Sequence, residues 1–180
     1  MPRSHRPLAP LDAADLQRLA LRYVERYATT RERLADYLAR KIRERGWSGQ
    51  SAPDLAALAQ RMAELGYVDD RAFADAKANA MARRGLGARR VAEALRQAGV
   101  ESADAAALAP EIEARAATSA LAFARRKRIG PFGREVPDRA QREKQLAAML
   151  RAGHSFDLAR TIVRMAPGED VDMLAVSQWD

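Results

Sequence analysis

Cysteine is absent from the 180 residues. Structural disulfides and cysteine-ligated zinc are excluded, and the composition fits a reducing, cytoplasmic compartment. Histidine is nearly absent as well. His5 and His154 stand far apart in the chain, whereas a metal site needs several ligands at short helical spacing, so no metal is expected. Aromatic residues make up 6% of the chain and charged residues 31%, a balance that suits many small amphipathic helices better than one thick core. No run of about 18 apolar residues occurs, so no membrane-spanning helix is expected. Alternating Val/Ile/Thr runs are also missing, and with them any convincing strand. The basic segment Met1–Pro7 has no apolar stretch behind it and does not read as a secretory signal. Residues 1–10 are expected to form a disordered basic arm.

What is present is positive charge. The formal net charge is +7 and the isoelectric point is near 10.3, so acidic partners are attracted over several ångströms. Nucleic acid is the commonest such partner, and an acidic protein surface would serve as well. The charge is uneven. Residues 167–180 hold Glu169, Asp170, Asp172 and Asp180 and no Lys or Arg. This acidic tail is either simply solvated or an intramolecular screen for a basic surface.

Periodicity is helical nearly throughout. Leu16, Leu19, Ala20, Tyr23, Val24 and Tyr27 line one face of a helix over about 12–27. Thr29 or Thr30 can cap the next helix, which carries Leu34, Leu38 and Ile42 and ends at Gly46. Leu55, Leu58, Met62 and Leu65 make a third helix, stopped by Gly66. Tyr67 and Val68 follow as an apolar plug. Asp69 or Asp70 can cap the next helix, whose apolar stripe opens at Phe73. A helix over Ser102–Ala114 contains Pro110, which has no N–H and should kink or restart it. Gly130–Pro137 reads as a loop, after which Asp138 caps another helix.

Three helix ends share one pattern, apolar-Ala-x-x-apolar-Arg and then Gly: Leu38 to Gly46, Val91 to Gly99 and Leu146 to Gly153. Each occupies the same place in a three-helix group. The expected fold is therefore all-α, an elongated tandem array of three three-helix units at 11–66, 67–113 and 114–166, each too small to bury much apolar surface alone.

Catalytic patterns are scarce. There is no phosphate-binding Gly-x-x-x-x-Gly-Lys-Ser/Thr loop, and Gly85-Leu86-Gly87 is too short to act as one. The adjacent acids Asp69 and Asp70 read as caps rather than an acid/base pair. Neither a cofactor nor an enzymatic activity is expected. Tyr23, Tyr27, Tyr37, Tyr67, Phe73, Phe123 and Phe156 fall mostly on apolar stripes, which points to core packing rather than base stacking. Trp47 and Phe132, both in loops, are candidates for exposure, and Trp179 lies in the tail.

The basic clusters are the stronger signal. Arg83, Arg84, Arg89 and Arg90 flank the Gly85–Gly87 turn. Arg125, Arg126, Lys127 and Arg128 end the helix before the Gly130 loop, and Arg139, Arg142 and Lys144 begin the helix after it. Arg31, Arg33, Arg40, Lys41, Arg43 and Arg45 decorate the second helix. Cations near helix C-termini stabilise them by roughly 0.3–1 kcal/mol each, which alone accounts for some of these residues. Recurrence at equivalent junctions of two units argues for more: a basic edge able to follow a phosphate backbone or an acidic groove.

The run Gly66-Tyr67-Val68-Asp69-Asp70-Arg71-Ala72-Phe73-Ala74 is followed by Arg83-Arg84-Gly85-Leu86-Gly87-Ala88-Arg89-Arg90 and by the Arg90–Val100 helix end. Together they resemble the central signature of the RecX family, over about residues 60–100 closely and over 12–59 and 114–166 more loosely. The resemblance departs at the long second helix, which reaches Gly only at 46, and at the Gly130–Pro137 loop, which looks like an insertion. It implies a regulator of the RecA recombinase, acting in DNA repair, recombination and the SOS response. Such proteins lie along the groove of the RecA–DNA filament and restrain its ATPase, coprotease and strand-exchange activities. The implied partners are the RecA filament and single- or double-stranded DNA, with no membrane, and the chain is expected to be a monomer. A RecA-independent, non-specific DNA-binding protein is the second reading.

Overall fold

The computed structural model describes residues 9–172 and residue 174. Those residues are helical apart from turns, loops and one isolated parallel bridge between Leu11 and Trp47. Their contacts divide into two compact units. One runs to Phe73 and takes in Ala98–Val100; the other comprises Ala74–Gln97 and resumes at Glu101.

In the first unit, α1 (Ala13–Arg26), α2 (Arg31–Arg45) and α3 (Leu55–Glu64) pack on one another. Each starts on a side-chain cap that satisfies an orphan N–H: Asp12, which forms a reciprocal box with Asp15, then Thr30, then Asp54. Their stripes meet in a core of Leu11, Leu16, Ala20, Leu34, Leu38, Ala59, Met62 and Val68. Leu34 and Leu38 are fully buried, each contributing roughly 1.5–3 kcal/mol of hydrophobic stabilisation. Between the two threonines at the start of α2, Thr30 is the cap. It accepts from Arg33 N and its hydroxyl donates to the carbonyl of Ala98, 2.5 Å away. That bond holds the buried Ala98–Val100 segment in this unit.

The second unit contains most of α4 (Asp70–Arg83), α5 (Ala88–Arg96), α6 (Ser102–Ala107), α7 (Ala109–Ala114), α8 (Ala116–Lys127), a 3-10 turn at Gly130–Phe132, α9 (Arg139–Arg151) and α10 (Phe156–Arg164). The helix expected over Ser102–Ala114 is two. Pro110 sits in the first turn of α7, where its missing N–H costs nothing, and the chain restarts there. Asp138 caps α9 in a reciprocal box with Gln141. The core joins Ala120, Phe123, Ala124 and Ile129 to Met149, Ala152, Ala159, Ile162 and Val163.

Four aromatic placements differ from expectation. Tyr27, Tyr67 and Phe156 are 52%, 51% and 50% exposed, and Phe73 is only half-buried, with the Arg33 guanidinium 5.5 Å from its ring centre. Tyr27 and Phe156 stand at helix ends, where an apolar stripe has no further turn to continue it, and Tyr67 lies in the turn between α3 and α4. The apolar plug after Gly66 is Val68 alone, which is 4% exposed. Conversely, Trp47 and Phe132 are half-buried against the two cores. Trp47 Nε1 donates to the Ser51 carbonyl, and Arg125 lies 4.9 Å from the Phe132 ring.

The Gly130–Pro137 loop is tied down at its start. A Cβ on Gly130 would lie 1.9 Å from the Ile162 carbonyl oxygen, and the Pro131 carbonyl accepts from Gly168 N. His5, Trp179, residues 1–8 of the basic arm and the end of the acidic tail lie outside the described residues.

Candidate partner-binding surface

The turn between α4 and α5 is built for close approach. Gly87 N donates to the Ala152 carbonyl at 2.9 Å and Arg89 N to the Gly153 carbonyl at 3.2 Å. The two glycine backbones nearly touch: a Cβ on Gly87 would lie 2.3 Å from the Gly153 carbonyl carbon. On the other side, Gly85 has φ +69°, and a Cβ there would lie 2.7 Å from Phe123 N. The turn is thus wedged between the end of α8 and the α9–α10 turn. His154 closes the wedge from beneath. It is 2% exposed, its Nε2 lies 3.2 Å from the Gly85 carbonyl, and its ring meets Phe123 at 5.6 Å.

This wedge brings two of the four basic clusters together. Arg126 Nη1 donates to the Arg84 carbonyl at 2.6 Å while its guanidinium sits 5.6 Å from the Phe123 ring. Arg83, Arg84, Arg89, Arg90 and the whole run Arg125–Arg128 are exposed. Arg125 and Arg126 are therefore part fastener and part surface, each with its guanidinium over an aromatic ring. Arg128 ends α8 in the left-handed region at φ 56°, and is the one non-glycine among the described residues with positive φ. That conformation is costly for a residue with a Cβ; Arg128 lines a cleft of about 350 Å³ together with Arg134, Glu135, Gln141, Lys144 and Gln145.

The third cluster divides. Lys144 shares the cleft with Arg128, whereas Arg139 pairs with Glu143 at 3.1 Å on the exposed face of α9. Arg142 is exposed on the same helix. An exposed pair of this kind contributes little, so Arg139 is a weaker contact candidate than Lys144. All eleven residues of these three clusters belong to the second unit, and the basic residues of α2 to the first.

The adjacent acids at the start of α4 do different jobs. Asp69 is the cap, accepting from Ala72 N at 2.8 Å. Asp70 is buried and accepts from Arg31 N at 2.9 Å and Arg31 Nε at 3.1 Å. Among the described residues no group of three or more His, Cys, Asp or Glu could hold a metal ion. Nor is any helix among them long and apolar enough to cross a membrane.

A helical protein with cations gathered on one rigid turn presents a surface of the class that attracts acidic partners. Comparison with known proteins makes the class specific. The family model described as RecX, second three-helix domain, matches residues 69–108, which run from the α4 cap through α5 and α6. Regulatory protein RecX of Myxococcus xanthus is 31% identical over 160 residues, spanning 84% of this chain and 86% of that protein. Regulatory protein RecX of Halorhodospira halophila is 35% identical over 152 residues, spanning 84% and 88%. The crystal structure of RecX from Lactobacillus salivarius has the same fold, with a TM-score of 0.60 at 18% identity over 84% of this chain and 94% of that one. The chain belongs to the RecX family of regulatory proteins.

Proposed function

We propose that this chain binds the RecA–DNA filament in the cytoplasm and inhibits RecA's ATPase and strand exchange. What supports the reading is the wedged α4–α5 turn. It carries Arg83, Arg84, Arg89 and Arg90 on a backbone fixed at both sides, it lies against the Arg125–Arg128 run, and it falls within the stretch that the RecX family model covers. A rigid display of cations attracts a polyanion with little ordering cost on the protein's side. On this reading the chain is a monomer of three three-helix units, at 11–66, 67–113 and 114–166. Contact with more than one RecA protomer would raise apparent affinity through effective concentration.

The test is a titration of the full chain into RecA filaments on single-stranded DNA, following ATP hydrolysis, with bare DNA as a binding control. Inhibition at protein levels well below RecA is the expected result. No effect on ATPase together with binding to bare DNA would replace this reading with that of a RecA-independent DNA-binding protein.

A further inference from the structure

The first unit has a second place where cations gather, and there they surround aromatic rings. Tyr23 and Tyr27 stand one turn apart on α1, and Tyr37 faces them from α2. Tyr23 stacks on Tyr37 with ring centres 4.2 Å apart and an interplanar angle of 20°. Tyr27 continues the series, 5.2 Å from Tyr23 and tilted by 49°. Tyr23 and Tyr37 are half-buried, while Tyr27 at the end of α1 is 52% exposed. The rings line an open cleft of about 520 Å³ with Arg22, Arg26, Arg40 and Lys41.

Those cations are unequally engaged. Arg40 and Lys41 approach the Tyr37 ring at 5.6 and 5.8 Å and share Glu44, which lies 3.8 Å from Arg40 and 2.6 Å from Lys41. Arg22 and Arg26, one turn apart on the exposed side of α1, have no acidic partner among the described residues. The cleft thus offers a half-exposed tyrosine and, one helical turn apart, two arginines without an acidic partner among the described residues.

We propose that this cleft is a subsite for single-stranded nucleic acid, with a base stacked on Tyr27 as the next rung of the tyrosine series and the adjoining phosphates held by Arg22 and Arg26. A single strand supplies both chemistries at once, an unpaired π-face and a phosphate every nucleotide. A duplex buries its base faces in its own stack and supplies only phosphates. An acidic peptide satisfies the arginines and leaves the tyrosine face unused. The inference does not rest on the filament reading, because it concerns the other unit and its assay contains no RecA.

The experiment measures binding of a fluorescent oligothymidylate to the full chain, beside an abasic oligonucleotide of equal length and a duplex, for the unaltered protein, Tyr27→Ala, Tyr27→Phe and Arg22→Ala/Arg26→Ala. Tyr27 is a half-exposed residue at a helix end, and helical circular dichroism checks that each variant folds. Tyr27→Ala is expected to weaken oligothymidylate binding by roughly 5- to 150-fold, the span of one lost base stack. Tyr27→Phe should restore it, and the abasic strand should bind the unaltered protein and Tyr27→Ala alike. The arginine variant should lose affinity for both single strands. Equal affinity of the unaltered protein for oligothymidylate and abasic strand, or an unaffected Tyr27→Ala, overturns the proposal. So does a polyglutamate peptide that displaces the strand from the unaltered protein as readily as from Tyr27→Ala.

Discussion

The imidazole of His154 has one partner and one bare nitrogen. A carbonyl can only accept, so the bond to Gly85 places the proton on Nε2. Nδ1 then faces the interior as a lone pair with no donor among the described residues. Protonating Nδ1 would put an unsatisfied N–H and a charge beneath the α4–α5 turn. Burial accordingly holds the pKa of His154 below its ordinary 6.5, with the Gly85 bond pulling weakly the other way. The unfolded chain takes up this proton first. Stability is therefore full above about pH 6.5 and falls as the pH drops from there through the lower folded-state value. Asp15 and Glu44, whose pKa values are lowered from 3.8 and 4.5 by hydrogen bonds from the Asp12 backbone and the Lys41 side chain, titrate below the pH 7 to 5 range in which melting is to be followed. A melting temperature that declines between pH 7 and 5 is expected. His154→Gln, which keeps a donor for Gly85 but no titratable group, should flatten the decline. An equally steep decline in that variant would place the acid sensitivity elsewhere.

At the scale of elements, local pattern and tertiary structure divide the information unevenly. Much of the helical pattern was legible because apolar stripes recur, side chains such as Thr30 and Asp138 cap starts and glycines such as Gly46 and Gly66 mark stops, although α5 to α8 have no side-chain cap bond. The division of labour between Asp69 and Asp70 was not, because either can cap α4 by spacing. Only the approach of the α2 N-terminus, 39 residues away, decides that Asp70 turns inward to Arg31. The same limit applies to both candidate sites. The sequence shows that Arg83–Arg90 and Arg125–Arg128 are basic, but the wedge that sets them side by side needs Gly87 against Gly153. Likewise, stripe positions place Tyr23 and Tyr27 on one face, but not the packing that brings Tyr37 onto them. The paired acids allow a direct measurement. Asp69→Ala removes an exposed cap and is expected to cost about 1 kcal/mol. Asp70→Ala breaks two bonds to a cation, one from its backbone and one from its guanidinium, and is expected to cost roughly 1.5–3 kcal/mol. Denaturant titrations of the two variants that gave equal losses would contradict the separate roles.

At the scale of the whole molecule the question is whether partner binding follows the chain's overall charge or a place on its surface. A formal excess of +7 draws any polyanion from a distance and raises encounter rates without a defined contact. A cluster held on a fixed turn does something else: it puts several cations within reach of successive phosphates. Reversing Arg83, Arg84, Arg89 and Arg90 to Glu removes both effects at once, since the four swings of two units each exceed the excess the chain carries. The comparison that separates them reverses four other exposed arginines, Arg43, Arg61, Arg71 and Arg164, and so produces the same net charge with the turn intact. If the turn is the binding surface, the first variant loses affinity for filament or DNA, and its log–log salt slope shrinks by about 0.9 for each phosphate it no longer neutralises. The second variant associates more slowly but keeps most of its salt slope. Both should retain their helical circular dichroism, because all eight side chains are exposed, with melting lowered modestly because Arg83 in the first variant and Arg43, Arg61 and Arg164 in the second leave favourable places in last helical turns. Equal losses in the two variants would assign binding to long-range attraction, and the wedged turn would then be a packing device alone.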